Sequence, residues 1–150
     1  MARFALYFIC LLSTALALVP SAAHVMELPN KIKMPKAEYL VAQQLYRGWQ
    51  FVGLVVVVAL LSTVALTVAL YGQPKPFAAA LVACLCVAGT QAVFWIFTFP
   101  VNRATTNWSV LPENWVPLRQ RWEYSHAASA ALNLVAFVAV VLAVLWARNA

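Results

Sequence analysis

The sequence predicts an all-α polytopic membrane protein, a single bundle of four transmembrane helices over residues 1–150. Of its 150 residues, 65% are hydrophobic and 9% charged, a balance that a water-soluble domain of this size could not hide in its core. Four apolar stretches, 4–23, 51–71, 77–100 and 127–147, are each long enough to cross about 30 Å of hydrocarbon as helices. Helical backbones satisfy their own hydrogen bonds in lipid, so the four stretches read as a bundle. With their polar extensions the helices are expected at about 4–26, 38–72, 77–100 and 117–147, with long connections at 27–37 and 101–116.

The first segment, MAR then FALYFICLLSTALAL then VPSAA, imitates a secretory signal with a cleavage point before His24. Its apolar run of near twenty residues exceeds a usual signal core. We therefore read it as a retained first helix with a kink at Pro20. From Lys36 onward no breaker occurs until Gly48, so the second helix is expected to begin outside the lipid. GQPKP is a tight turn. In the third connection Pro112 or Pro117 can start a short helix.

The net charge of +6 does not indicate nucleic acid, because the Lys and Arg lie singly or in small groups at the ends of apolar segments, where they set topology and face lipid headgroups. Cys10, Cys84 and Cys86 fall inside apolar segments without disulfide or metal spacing, and read as buried small hydrophobes.

Hairpin connections place the first and third connections on one face. That face carries seven of the ten Lys and Arg, all four Glu, both His and five of the six Trp. Counted literally, the positive charges put it in the cytoplasm; Arg3 ahead of the signal-like first segment favours the reverse. The expected location is the cell membrane, the inner membrane for a bacterial protein, with lipid as the surrounding partner.

Chemistry is expected on this rich face. At about 100° per residue, Arg119, Trp122, His126 and Asn133 fall on one helical stripe running from the surface into the membrane. Asn133, with Gln91 on the third helix, makes the bundle interior partly polar; such groups face a neighbouring helix or a cavity. Glu123 and His126 are an i, i+3 pair, mirrored by His24 and Glu27 at the end of the first helix. The topology brings both pairs to one depth, and two His with two Glu suit a transition metal. Haem held by His24 and His126 is a weaker alternative, since both lie near helix ends. The Trp asymmetry, with Trp49, Trp95, Trp108, Trp115 and Trp122 on this face, argues for an aromatic-lined pocket beside an interfacial belt. No nucleotide loop, nucleophile elbow or zinc-protease motif occurs.

The block FPVNRATTNWSVLPENWVPLRQRWEYSHAASAAL, residues 99–132, carries Pro100 and Asn102, then Arg119 and Trp122, then His126. In these elements it resembles the anthrone oxygenase-like family of small four-helix membrane proteins, in which the third helix ends in Pro-x-Asn and the fourth opens with Arg-x-x-Trp followed by a polar residue. The resemblance covers the last third of the chain. It implies a compact four-helix bundle and, for the few members with an assigned reaction, oxidation of an anthrone to an anthraquinone by O2 without a known cofactor. Fold transfers along such a resemblance better than function.

These readings combine into an expected membrane oxygenase-like or redox-associated enzyme acting on a planar aromatic or quinol-type molecule. His126 is its general base, with Arg119 and Glu123 beside it; Trp108, Trp115, Trp122, Asn102, Arg47 and Arg121 bind substrate; His24, Glu27, Glu123 and His126 are the metal candidates. The alternative is a non-enzymatic membrane subunit that binds a protein partner, a quinone, haem or metal.

Overall fold

The computed structural model describes residues 1–148. These are 86% helical with no strand. The elements are α1 (Ala2–Lys31), α2 (Lys36–Gln43), two single 3₁₀ turns (Gln44–Tyr46 and Trp49–Phe51), α3 (Val52–Ala69), α4 (Pro74–Val93), a π-helical segment (Phe94–Thr98), α5 (Phe99–Ala104) and α6 (Trp115–Arg148). Four helical spans, Ala2–Lys31, Val52–Ala69, Pro74–Ala104 and Trp115–Arg148, are long and apolar enough to cross a membrane. The chain is a multi-pass membrane protein surrounded by lipid. Each span packs on two others, α1 on α3 and α6, α4 on α3 and α6, which closes the four-helix bundle.

The packing is that of a membrane bundle, with small residues inside and large ones out. Ala17, Ala59, Ala80, Ala83, Ala136 and Ala143 are buried, whereas Phe8, Leu12, Leu16, Leu54, Leu61 and Leu134 are exposed. Lipid tails solvate leucine as well as another leucine does, so close approach of backbones and interhelical hydrogen bonds decide the fit. Ser13 Oγ lies 3.3 Å from Ser62 Oγ, and Thr98 Oγ1 lies 2.8 Å from Ser125 Oγ. At Gly89 an added Cβ would sit 3.3 Å from Leu132 Cδ1, so glycine there lets α4 lie close to α6.

Three boundaries differ from the sequence expectation. Helix α1 does not stop near residue 26 but continues through Pro29 to Lys31. Its end is held from outside, because the Arg119 guanidinium donates to Lys31 O at 3.4 Å and Met34 O at 2.7 Å and supplies the cation that a helix C-terminus favours. The expected continuous helix 38–72 is broken: the backbone is extended at Arg47 (ψ 129°) and left-handed at Gly48 (φ 88°), a joint that glycine makes cheaply. The third span runs on to Ala104 through the π segment. The last connection is correspondingly short, and it contains three successive left-handed residues, Thr106, Asn107 and Trp108 (φ 47°, 51° and 60°).

Pro100 explains a contact in this region. Proline has no N–H to give to the carbonyl of Ile96 one turn earlier, and the Arg121 guanidinium donates to that carbonyl instead. Arg121→Ala is therefore expected to cost on the order of 1 kcal/mol in the wild-type background and close to nothing with Pro100→Ala, where a backbone donor is restored. A double-mutant cycle followed by unfolding in detergent measures the difference; additive effects would refute the shared carbonyl.

Candidate functional site

At the end of the bundle formed by the first and third connections lies a cavity of about 810 Å³, within the range that holds a small-molecule ligand. Helices α1 and α6 contribute His24, Trp122 and His126, α5 contributes Asn102, the left-handed segment contributes Asn107 and Trp108, and the broken joint contributes Arg47 and Trp49. Deeper in the bundle the wall is made by Ser21, Thr90, Gln91, Ser129 and Asn133.

The two imidazoles are the chemical centre of this space. The His24 and His126 rings are 4.2 Å apart and tilted by 34°, and His126 also lies 4.2 Å from the Trp122 ring. Tyr46, at 4.5 Å, covers the other side of His24. His24 Nδ1 and His126 Nε2 are buried without a hydrogen-bond partner among the described residues; the nearest carboxylate oxygen to His24 Nδ1, Glu27 Oε2, stands 4.0 Å away. Trp122 is fixed by its indole N–H, which donates to Asn102 Oδ1 at 2.9 Å. That bond fixes the Asn102 amide oxygen, and its nitrogen has no acceptor among the described residues.

Beside the cavity sits a buried ionic cluster centred on Lys31, which is 3% exposed. Its ammonium Nζ is 2.9 Å from Glu123 Oε1, 3.8 Å from Glu27 Oε2 and donates to Tyr46 Oη at 3.0 Å. It also stands 4.9 Å from the Trp122 ring and 4.5 Å from the Tyr46 ring, where cation–π attraction adds to the ion pairs. Tyr39 on α2 donates to Glu123 Oε1 at 2.9 Å, and Tyr46 donates to Glu27. The short helix α2 and the turn after it are thereby tied to the ends of α1 and α6. Burial, and then the neighbouring Glu123 carboxylate, raise the Tyr39 phenol; burial and the hydrogen bond to Glu27 raise that of Tyr46.

Several expected site residues are placed elsewhere. Arg119 does not reach the cavity, because its guanidinium is committed to the α1 terminus and stacks 4.5 Å from Trp115. Trp115 accordingly packs on Arg119 and Tyr39 and is not a cavity wall. Glu123, 1% exposed, is held by Lys31 and Tyr39 behind the cavity wall. Arg121 is spent on the Ile96 carbonyl and lies against Phe97. Trp95 is exposed. His126, Trp122, Trp108, Asn102 and Arg47 do line the cavity.

The metal reading is also corrected. His24, Glu27, Glu123 and His126 gather as the topology requires, but the Lys31 ammonium occupies the position between the two carboxylates that a cation would take. Among the described residues no group of three or more His, Cys, Asp or Glu is arranged to hold a metal ion. Direct ring contact between His24 and His126 leaves no slot between them for a haem with both as axial ligands. Lys31, missed as a site residue, shows one signal in the sequence: it lies four residues after Glu27 and seven after His24, on the same side of α1.

No protein-family model matches this chain, and no match is found among curated proteins or solved structures.

Removing one partner of a buried ion pair leaves an uncompensated charge, which costs about 3 to 5 kcal/mol. Lys31→Met should therefore lower the unfolding temperature sharply, and Lys31→Met with Glu123→Leu should recover most of the loss. Thermal unfolding in one detergent decides it, and a double variant as unstable as the single one would contradict the pairing. A second expectation concerns alkaline pH. Tyr39 and Tyr46 stay protonated in the fold, whereas on unfolding they ionise near their ordinary value of about 10. The unfolded state thus releases protons that the folded state keeps, and stability falls as pH rises above about 10. The slope should shrink in Tyr39→Phe and in Tyr46→Phe.

Proposed function

We propose that this protein is an oxygenase-like oxidoreductase of the cell membrane, which takes a planar aromatic or quinol-type molecule into the cavity and uses His126 as the base that starts its oxidation. The observation that carries the reading is the pair of contacting imidazoles in the wall of a cavity lined by tryptophan, with His24 Nδ1 and His126 Nε2 lacking a hydrogen-bond partner among the described residues. Flat rings stack on tryptophan faces, and a neutral imidazole nitrogen that accepts from no protein donor is open to accept a proton from the ligand. The resemblance of residues 99–132 to the anthrone oxygenase-like family points to the same class of reaction.

In such a reaction the activated ring CH2 loses a proton to His126, and the resulting anion gives electrons to O2. Over the whole reaction CH2 becomes C=O, one oxygen atom of O2 entering the carbonyl and the other leaving as water, so four electrons pass from carbon to O2. The developing oxyanion needs fixed donors. Asn102 and Arg47 are in the cavity wall to provide them, in place of Arg119. The contact of His126 with His24 offers a second site for the abstracted proton.

The non-enzymatic alternative, a membrane subunit that holds a quinone-like ring without turning it over, uses the same cavity and differs in outcome. Oxidation of anthrone- or hydroquinone-type compounds by purified protein is expected to fall on the order of 100-fold or more in His126→Ala, with the fold checked by its thermal transition. Equal rates in the two proteins would eliminate His126 as the base, and binding without oxidation would leave the subunit reading.

A further inference from the structure

The cavity has a second polar pole, deep in the bundle, which the proposed chemistry does not use. Ser129 and Asn133 follow His126 on the same side of α6, so Asn133 lies roughly 10 Å below it at about 1.5 Å rise per residue. Asn133 is 6% exposed. Its Nδ2 donates to Ser21 Oγ at 3.1 Å and to Ala17 O at 3.4 Å, which fixes the amide orientation. Its Oδ1 is left with no donor among the described residues and is not sealed by protein atoms, in a residue that forms part of the cavity wall. On the neighbouring helix α4 the Gln91 side chain makes, among the described residues, only a long 3.4 Å contact with Thr90 Oγ1.

An amide needed solely to join two helices would be satisfied by the α1 contact and closed over by apolar neighbours. Here the acceptor end faces open space at membrane depth, where an unmet polar atom is costly. We infer that the floor of the cavity is a second recognition subsite, in which Asn133 accepts a hydrogen bond from a hydroxyl at the far end of the ligand and Gln91 assists. The ligand class is then a flat fused-ring molecule with hydrogen-bonding groups at both ends of its long axis. One end lies at His126 and Asn102, the other at Asn133. This inference deepens the proposed function and rests on its reading of the cavity as a ring-binding site.

Binding of stable ring compounds tests it without requiring turnover. The probes are 2,6-dihydroxyanthraquinone, with a hydroxyl at each end, and 2-hydroxyanthraquinone, with one. Each is titrated into purified protein in lipid nanodiscs by tryptophan quenching, with empty nanodiscs correcting for partition into lipid. One added hydrogen bond to a buried acceptor corresponds to roughly a tenfold preference for the two-ended compound. The preference should fall to about one in Asn133→Leu and shrink in Gln91→Leu, whose side chain makes no strong contact in the fold. Equal affinities in the wild-type protein, or an undiminished preference in both variants, would overturn the subsite and leave the ring-binding reading intact, with water filling the floor. Failure of both compounds to bind would overturn the subsite and the ring-binding reading together.

Discussion

An ammonium group taken out of water costs several kcal/mol unless its partners are close and numerous, and the arrangement of the upper half of this molecule follows from how Lys31 meets that demand. The 2.9 Å contact with Glu123 joins the end of α1 to α6. The hydrogen bond to Tyr46, and Tyr39 donating to the same Glu123 oxygen that Lys31 meets, bring in the segment after α1. Because Trp122 stands over the same ammonium, the position of the cavity wall is set by the ion cluster behind it. Apolar residues of equal volume in place of the whole Lys31–Glu123 pair could stabilise the fold as well. They would not fix the direction in which α2 leaves the bundle.

Below that cluster the bundle is held by different means. Its interior is rich in alanine, serine and threonine, with Leu66, Leu70, Val87 and Val140 among them, and the hydroxyl groups bond to carbonyls of the preceding turn, as Thr14 does to Cys10 and Thr63 to Ala59. Such side chains satisfy themselves locally and leave room for close helix contact. The π segment and the proline after it interrupt this regularity where α4 passes into α5. In the same region Phe94, Thr98, Phe99 and Asn102 turn toward the cavity. A widened turn is one way a helix re-aims side chains at a functional site.

The four spans were legible because apolar length is a coarse signal that needs no neighbour to interpret. The convergence of His24 with His126, and the stripe through Trp122 to Asn133, were legible for a related reason: hairpin topology and helical period fix depth and direction without knowledge of packing. The roles of the charged residues were not. Lys31, Arg119 and Arg121 look in the sequence like any cation at a membrane interface, and what separates them is a partner remote in the chain: Glu123, the end of α1 and the carbonyl opposite Pro100. The continuation of α1 through Pro29 was hidden in the same way, since tertiary ties decide whether a breaker acts; Gly48 was visible as a breaker, but not that the chain would turn there.

The left-handed run at Thr106, Asn107 and Trp108 has a bearing on how this protein can drift. L-residues enter that conformation at a cost, which asparagine tolerates best and β-branched side chains worst. The Thr105 hydroxyl, which accepts from the Trp108 N–H at 3.1 Å and donates to Val101 O at 2.9 Å, holds the turn in place. Replacement at position 105 by any residue lacking a hydroxyl would remove that brace, and glycine would then become the most tolerated substitution at 106. Lineages that lose the hydroxyl and gain the glycine can keep the ring of Trp108 in place, so variation in this loop should come in correlated pairs.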